Sequence, residues 1–216
     1  MNRMSITRVF RFAVFSWLVM LAAPNASAQV LGEADLVAAL RQGGLVVVTR
    51  HGATHADQGD TDPLNVGKPG NETRQRRLND RGRATASAWN DAIKRLGIPV
   101  GQVFSSQFER AYETARLAFG EPILTADLTE GGLVVSPNEN NRRAGAFRKM
   151  TGTAPKPGTN TFMVTHRPNV LDAFGRDLFD MREGESAVFR PADGKYQLVG
   201  RLLADQWATL AEKYVK

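Results

Sequence analysis

The sequence contains no cysteine and only three histidines, His51, His55 and His166, in 216 residues. Without a thiol there is no cysteine nucleophile, no thiolate metal site and no disulfide, and a core of this size does not require one. Aromatic residues are sparse, at 8%. The one long apolar stretch, Phe12 to Ala23, is well short of the ~20 residues that span a bilayer. These absences leave histidine, carboxylate and hydroxyl chemistry in a protein of ordinary globular composition, 42% hydrophobic and 23% charged.

That apolar stretch has a different reading. Arg3, Arg8 and Arg11 precede it, and Ala26-Ser27-Ala28 follows as a small-x-small cleavage signal. Residues 1–28 are therefore expected to be a cleaved signal peptide, with an uncleaved anchor as the weaker alternative. Residues 29–216 are expected to form a single domain in the periplasm or outside the cell, without stable membrane insertion. The three arginines are the only charged residues of the leader, so the net charge of +6 falls to +3 once it is gone. The pI near 10 then argues little for nucleic acid, and a nucleic-acid partner is not expected.

Beyond the leader the pattern alternates between helix and strand. Glu33 to Arg41 reads as a short amphipathic helix stopped by Gly43-Gly44. Leu45 to Thr49 is a buried strand, three of its residues being consecutive valines. A polar loop follows, about Ala53 to Arg77, of a length usually reserved for a functional lid or a mobile segment. Asn79-Asp80 cap a helix to Leu96, with Ala84, Ala88, Trp89, Ala92, Ile93 and Leu96 as its apolar face. Further strands are expected at Val103–Ser105, Ile123–Leu124 and Thr161–Thr165, and helices at Phe108–Phe119, Glu139–Met150 and Val170–Phe179. The state of Leu133-Val134-Val135 is left open. A polar turn, Glu183-Gly184-Glu185, leads into a hairpin around Ala192-Asp193-Gly194, and a helix from Ala204 ends the chain. This order implies an α/β fold with a largely parallel sheet.

Chemistry concentrates at the strand ends. His51 follows Arg50 directly after the first strand, and His166 precedes Arg167 after a later one. In open α/β sheets ligands bind at the carboxyl edge, so the two histidines can meet there. Ser105-Ser106 leads to the same edge, with Arg110 in the first turn of the next helix. Arginine forks and a helix N-terminus both suit an anion, and together they suit a phosphoryl group. A neutral imidazole among arginines is then a candidate nucleophile. His51 and His55 stand four apart, but Gly52 and the preceding strand argue against a helical metal pair, so no metal or other cofactor is expected.

Three ordered motifs carry a family resemblance. Thr49-Arg50-His51-Gly52-Ala53-Thr54 resembles the RHG signature of the histidine phosphatase superfamily, the phosphoglycerate-mutase-like proteins of branch 1. Ser105-Ser106 with Arg110-Ala111-x-Glu113-Thr114-Ala115 is similar to the second motif, and Val164-Thr165-His166-x-x-Asn169 to the third. Leu78 to Ala84, with Gly82, is similar to the family's helix start. The resemblance implies a three-layer α/β/α sandwich and a phosphohistidine intermediate on His51, with Arg50, Arg110 and His166 as the phosphate pocket. It also implies a carboxylate acid/base after the second-motif helix. Glu130, in Leu128-Thr129-Glu130-Gly131, is the first choice, with Asp127 and Glu139 as alternatives. Thr54 either donates a hydroxyl bond to phosphate or only begins the loop. Arg167-Pro168 departs from the family pattern, and Arg167 either contacts substrate or pairs with a surface acid. Glu113 reads as a structural partner for an arginine, and Arg142-Arg143 and Arg148-Lys149 as a solvated helix face.

The expected activity is hydrolysis of phosphomonoesters, of a small molecule or of a phosphorylated protein or envelope polysaccharide. The alternative from another class is a phosphate-binding relative without catalysis.

Overall fold

The computed structural model describes residues 30–131 and 134–215. The expected leader, 1–28, and Leu133 lie outside the described residues.

The valine run explains the centre of the molecule. β1 (Val46–Arg50) is flanked on both sides by hydrogen-bonded strands. Its side chains alternate between two separate cores: Val47 packs with Phe162 and Val164, whereas Val46 and Val48 pack with Met163, Leu128 and Phe147. A strand covered on both faces must be apolar at every position, which is why the run is continuous rather than alternating. β4 (Asn160–Thr165) lies beside β1, followed outward by β2 (Val100–Ser105) and β3 (Ile123–Leu124). On the other side stand β5 (Ser186–Ala192) and β6 (Lys195–Leu202), so the order is β3-β2-β4-β1-β5-β6. The pairings from β3 to β1 are parallel, and β5 runs antiparallel to both β1 and β6.

Helices cover both faces. α1 (Glu33–Gln42), α2 (Asp80–Leu96), α3 (Glu109–Ala118) and α6 (Gln206–Tyr214) share one core with the sheet, while α4 (Pro137–Thr151) and α5 (Arg167–Phe174) share the other. This is the three-layer α/β/α sandwich with a mostly parallel sheet that the sequence implies.

Some local expectations are corrected. On α2, Ala84 and Ala88 are exposed, and Gly82 and Ala86 face the core in their place. The buried stripe is set by Trp89, whose neighbours on one helix face lie three and seven residues earlier. Trp89 fixes that choice by donating its indole N–H to the Ala204 carbonyl (2.6 Å). The helix expected over Val170–Phe179 instead runs from Arg167 to Phe174, because Gly175 takes a positive φ of 65° and the chain continues as a 3₁₀ turn over Gly175–Leu178. The last helix starts at Gln206 rather than Ala204. Arg142 and Arg143 are not simply solvated. Both bond Glu139, and Arg143 also donates to the Thr129 carbonyl (2.9 Å).

The loop between β1 and α2 is folded upon itself. Two 3₁₀ turns, Pro63–Asn65 and Asn71–Arg74, lie within it. Asn71 donates to the Asp62 carbonyl (2.9 Å), and Gln75 donates to Asn71 (2.7 Å), both Asn71 and Gln75 being buried. The loop returns to α2 at Gly82, where a Cβ atom would run into the Ala53 carbonyl oxygen. Only glycine allows the start of α2 to press so closely against the residues following His51.

Candidate active site

The ends of β1, β2 and β4 are tied together before any side chain is considered. The His51 amide donates to the Thr165 carbonyl and the Ser106 amide to the Val164 carbonyl, each at 3.0 Å. From the far side, the Gly184 amide reaches the carbonyls of Arg50 and His51 (3.2 and 2.9 Å). The three motifs thus share one rigid sheet edge.

His51 and His166 meet there, with ring centroids 5.2 Å apart and the rings 2% and 1% exposed. His51 Nδ1 lies 2.8 Å from the Gly52 carbonyl, which can only accept, so Nδ1 carries the proton and Nε2 keeps its lone pair. Gly52 is itself held: its amide donates to Thr114 Oγ1 (3.0 Å), and that hydroxyl donates to the Arg110 carbonyl (2.7 Å). The second motif therefore steers the ring of the first. His166 Nε2 lies 2.7 Å from Ser106 Oγ, and its Nδ1 is buried without a partner. Ser106 Oγ accepts from the Phe108 amide and has two acceptors in reach for its own proton, His166 Nε2 at 2.7 Å and Thr129 Oγ1 at 3.3 Å; given to the shorter contact, it leaves an N–H at Nδ1.

Arg110 enters from the first turn of α3 and is fully buried. Its guanidinium stands over the Phe108 ring (4.3 Å), and that ring meets His166 edge-on. Nη1 pairs with Asp60 (3.0 Å), Nη2 pairs with Glu130, and Nε has no partner. Arg50 donates to the Met181 carbonyl (3.0 Å) and faces Glu183 at 3.6 Å, with its Nε also unpartnered. Burial is the main reason that both His51 and His166 are held well below the usual histidine value of 6.5, with the Arg110 charge second. At neutral pH both rings are uncharged.

Of the carboxylates considered from sequence, Glu130 is the one the structure brings to this cluster. Its Oε2 lies 4.0 Å from His166 Nδ1. Its backbone is fixed through Thr129, whose hydroxyl accepts from the Gln107 amide and donates to the Thr125 carbonyl (2.9 Å each). Asp127 and Glu139 are instead bound to Arg142 (2.8 Å each), and Glu139 also to Arg143. Hydrogen bonds from Arg142 and then Arg143 hold Glu139 at about 2, so it remains ionised.

The remaining candidates fall around the rim. The Thr54 hydroxyl donates to Glu183 (2.9 Å). Arg167 is exposed, donates to the Phe179 carbonyl (2.8 Å) and pairs with no acid among the described residues. Glu113 faces Arg83 at 3.5 Å, the structural role expected of it. Among the described residues no three His, Asp or Glu side chains gather as a metal site. Sequence reasoning missed Asp60 and Glu183. Glu183 was legible only as part of a polar turn, and Asp60 as one acid among several in a long loop.

The family model of the histidine phosphatase superfamily (branch 1) matches residues 46–134 of the chain, from β1 through the second motif. The third motif lies beyond the match and joins the site through β4. Two solved structures show the same fold. The Rv3214 open reading frame from Mycobacterium tuberculosis is 19% identical, with a TM-score of 0.50 over 74% of this chain and 97% of that one. The protein histidine phosphatase SixA, complexed with tungstate, is 15% identical, with a TM-score of 0.50 over 75% and 98%. No curated protein sequence matches the chain.

Proposed function

We propose that this protein is a phosphatase that hydrolyses phosphomonoesters through a phosphohistidine on His51. One observation carries the reading: the Gly52 bond leaves His51 Nε2 as a neutral lone pair, at a sheet edge that also holds buried N–H groups without an acceptor. Arg50 Nε, Arg110 Nε and His166 Nδ1 are three such donors, and the terminal oxygens of a phosphoryl group are the acceptors they suit.

In the first step the Nε2 lone pair forms a bond to phosphorus as the ester P–O bond breaks. Glu130, in its acid form, gives its proton to the departing oxygen. The arginines and His166 hold the terminal oxygens and stabilise their charge through the transition state. In the second step Glu130, now a carboxylate, takes a proton from water as the water oxygen bonds to phosphorus and the N–P bond breaks. Inorganic phosphate leaves, and His51 regains its lone pair. The tungstate held by SixA is a tetrahedral oxyanion, and it supports this reading of the pocket.

The leader-like start of the sequence supports action outside the cytoplasm, on a phosphorylated small molecule or an envelope phosphate. The loop over Arg110, bonded within itself, favours the small molecule. The test is hydrolysis of a generic aryl phosphate from acid to neutral pH by wild type beside His51→Ala. Turnover by wild type alone supports the proposal. No turnover by either, with inorganic phosphate still bound, would leave the chain a phosphate-binding relative.

A further inference from the structure

The three motifs account for Arg50, His51, Arg110 and His166. Another arginine is anchored through its backbone beside Arg110 by a segment that no motif covers, the loop between β1 and α2.

Arg76 differs from the arginines beside it. Arg74 pairs with Asp62 (3.4 Å) and Arg77 with Glu109 (3.8 Å), but Arg76 pairs with no carboxylate among the described residues. Its Nε is buried and has no hydrogen-bond partner. Buried N–H groups on a cation are seldom left without an acceptor, because the lost hydration is not replaced.

Its backbone is fixed next to Arg110. The Arg76 amide donates to Asp60 Oδ1 (2.9 Å), and the same oxygen accepts from Arg110 Nη1 (3.0 Å). One carboxylate oxygen therefore separates the Arg76 backbone from the Arg110 guanidinium. The preceding residue is seated on the same helix start, Gln75 Oε1 accepting from the Glu109 amide (2.7 Å). The Arg76 charge is also felt at both rings, where it helps to hold His51 and His166 below the ordinary histidine range.

We propose that Arg76 is a phosphoryl-binding residue, delivered to the pocket by the loop and completing a set of acceptor-less donors with Arg50, Arg110 and His166. The inference rests on the reading of this site as a phosphoryl pocket. It adds a preference within that reading. Three arginine charges beside His166 suit the two negative charges of a monoester dianion better than the single charge of a phosphodiester. The loop is then part of the binding machinery and not only a cover for it.

The experiment is titration calorimetry of inorganic phosphate with wild type, Arg76→Gln, Arg76→Lys and Arg110→Ala, with thermal midpoints measured without phosphate. Arg76→Gln is expected to keep its midpoint and to bind phosphate about tenfold more weakly, the usual loss for a charged hydrogen bond. Arg76→Lys is expected to fall between the two, since an ammonium keeps the charge but not the Nε–H. Wild-type affinity in Arg76→Gln, with binding lost in Arg110→Ala, would overturn the role of Arg76 and leave the pocket intact. Undiminished binding in Arg110→Ala would overturn the pocket itself. Should Arg76→Gln lower the midpoint, Arg76→Lys decides: affinity equal to wild type would refute the inference.

Discussion

Two arginine–carboxylate clusters each take an acid from the segment between α3 and α4, Glu130 in one and Asp127 in the other, and they are made from the same residue types. In one, Arg110 is completely buried and shared by Asp60 and Glu130. In the other, Arg142 is 52% exposed and shared by Asp127 and Glu139. The exposed cluster spends its donors on its own acids, and Glu139 is fixed in its ionised form. The buried cluster leaves N–H groups over, on Arg110, Arg50 and His166, and places an acid beside a histidine. Burial, not composition, separates a surface brace from a cluster with N–H groups left without an acceptor.

That contrast is broken most directly at its arginines. Arg110→Ala is expected to lower kcat/KM for an aryl phosphate by about three orders of magnitude, through loss of preorganised donors. Arg142→Ala should leave kcat/KM unchanged, since an exposed pair contributes little. Steady-state kinetics of both variants measure the difference, and equal losses would dissolve the comparison.

The acids sharpen it further. Glu130→Gln is expected to reduce kcat by about two orders of magnitude, the ordinary contribution of a general acid, while vanadate still binds. Glu139→Gln should behave as wild type. The reverse pattern, a slow Glu139→Gln and an unaffected Glu130→Gln, would move the acid to the exposed cluster.

A smaller effect concerns stability. Both buried histidines titrate lower in the folded chain than in the unfolded one, where the value is near 6.5. Above that pH both states are neutral and the histidines contribute nothing to the pH dependence. As pH falls below it, the unfolded chain takes up protons that the folded chain refuses, so stability falls, by up to about 1.4 kcal/mol per pH unit for each histidine. The thermal midpoint should therefore drop on acidification from neutral pH, and His166→Gln should flatten that drop. The smallest expected change is none at all: chelation with EDTA leaves turnover intact, and loss restored by a divalent metal would contradict a site that runs on histidine and arginine.

Much of this was legible because strands and motifs are local. The valine run announced β1, Asn79 announced the start of α2, and its side chain does cap Gly82 (2.8 Å). Arg50, His51, Arg110 and His166, which the structure brings to one sheet edge, could be picked out because each sits at a strand or helix end with a recognisable neighbour. Asp60 and Glu183 were not found, for a different reason. They come from loops, where no periodicity marks which side chain turns inward, and only the folded chain sets the Asp60 carboxylate against both Arg110 and the Arg76 amide. The α2 stripe shows the same limit on a smaller scale. Ala84 and Ala86 are chemically alike, and only the seating of Trp89 beneath Ala204 decides which is buried.

The central claim is that His51 carries the phosphoryl group between the two steps. The direct measurement is rapid quenching of the enzyme during turnover of a phosphorus-labelled aryl phosphate, followed by peptide mapping. An acid-labile, alkali-stable label on the peptide containing His51, absent from His51→Ala, is the predicted result. Turnover with no protein-bound label in either enzyme, or a label that persists in His51→Ala, would contradict it.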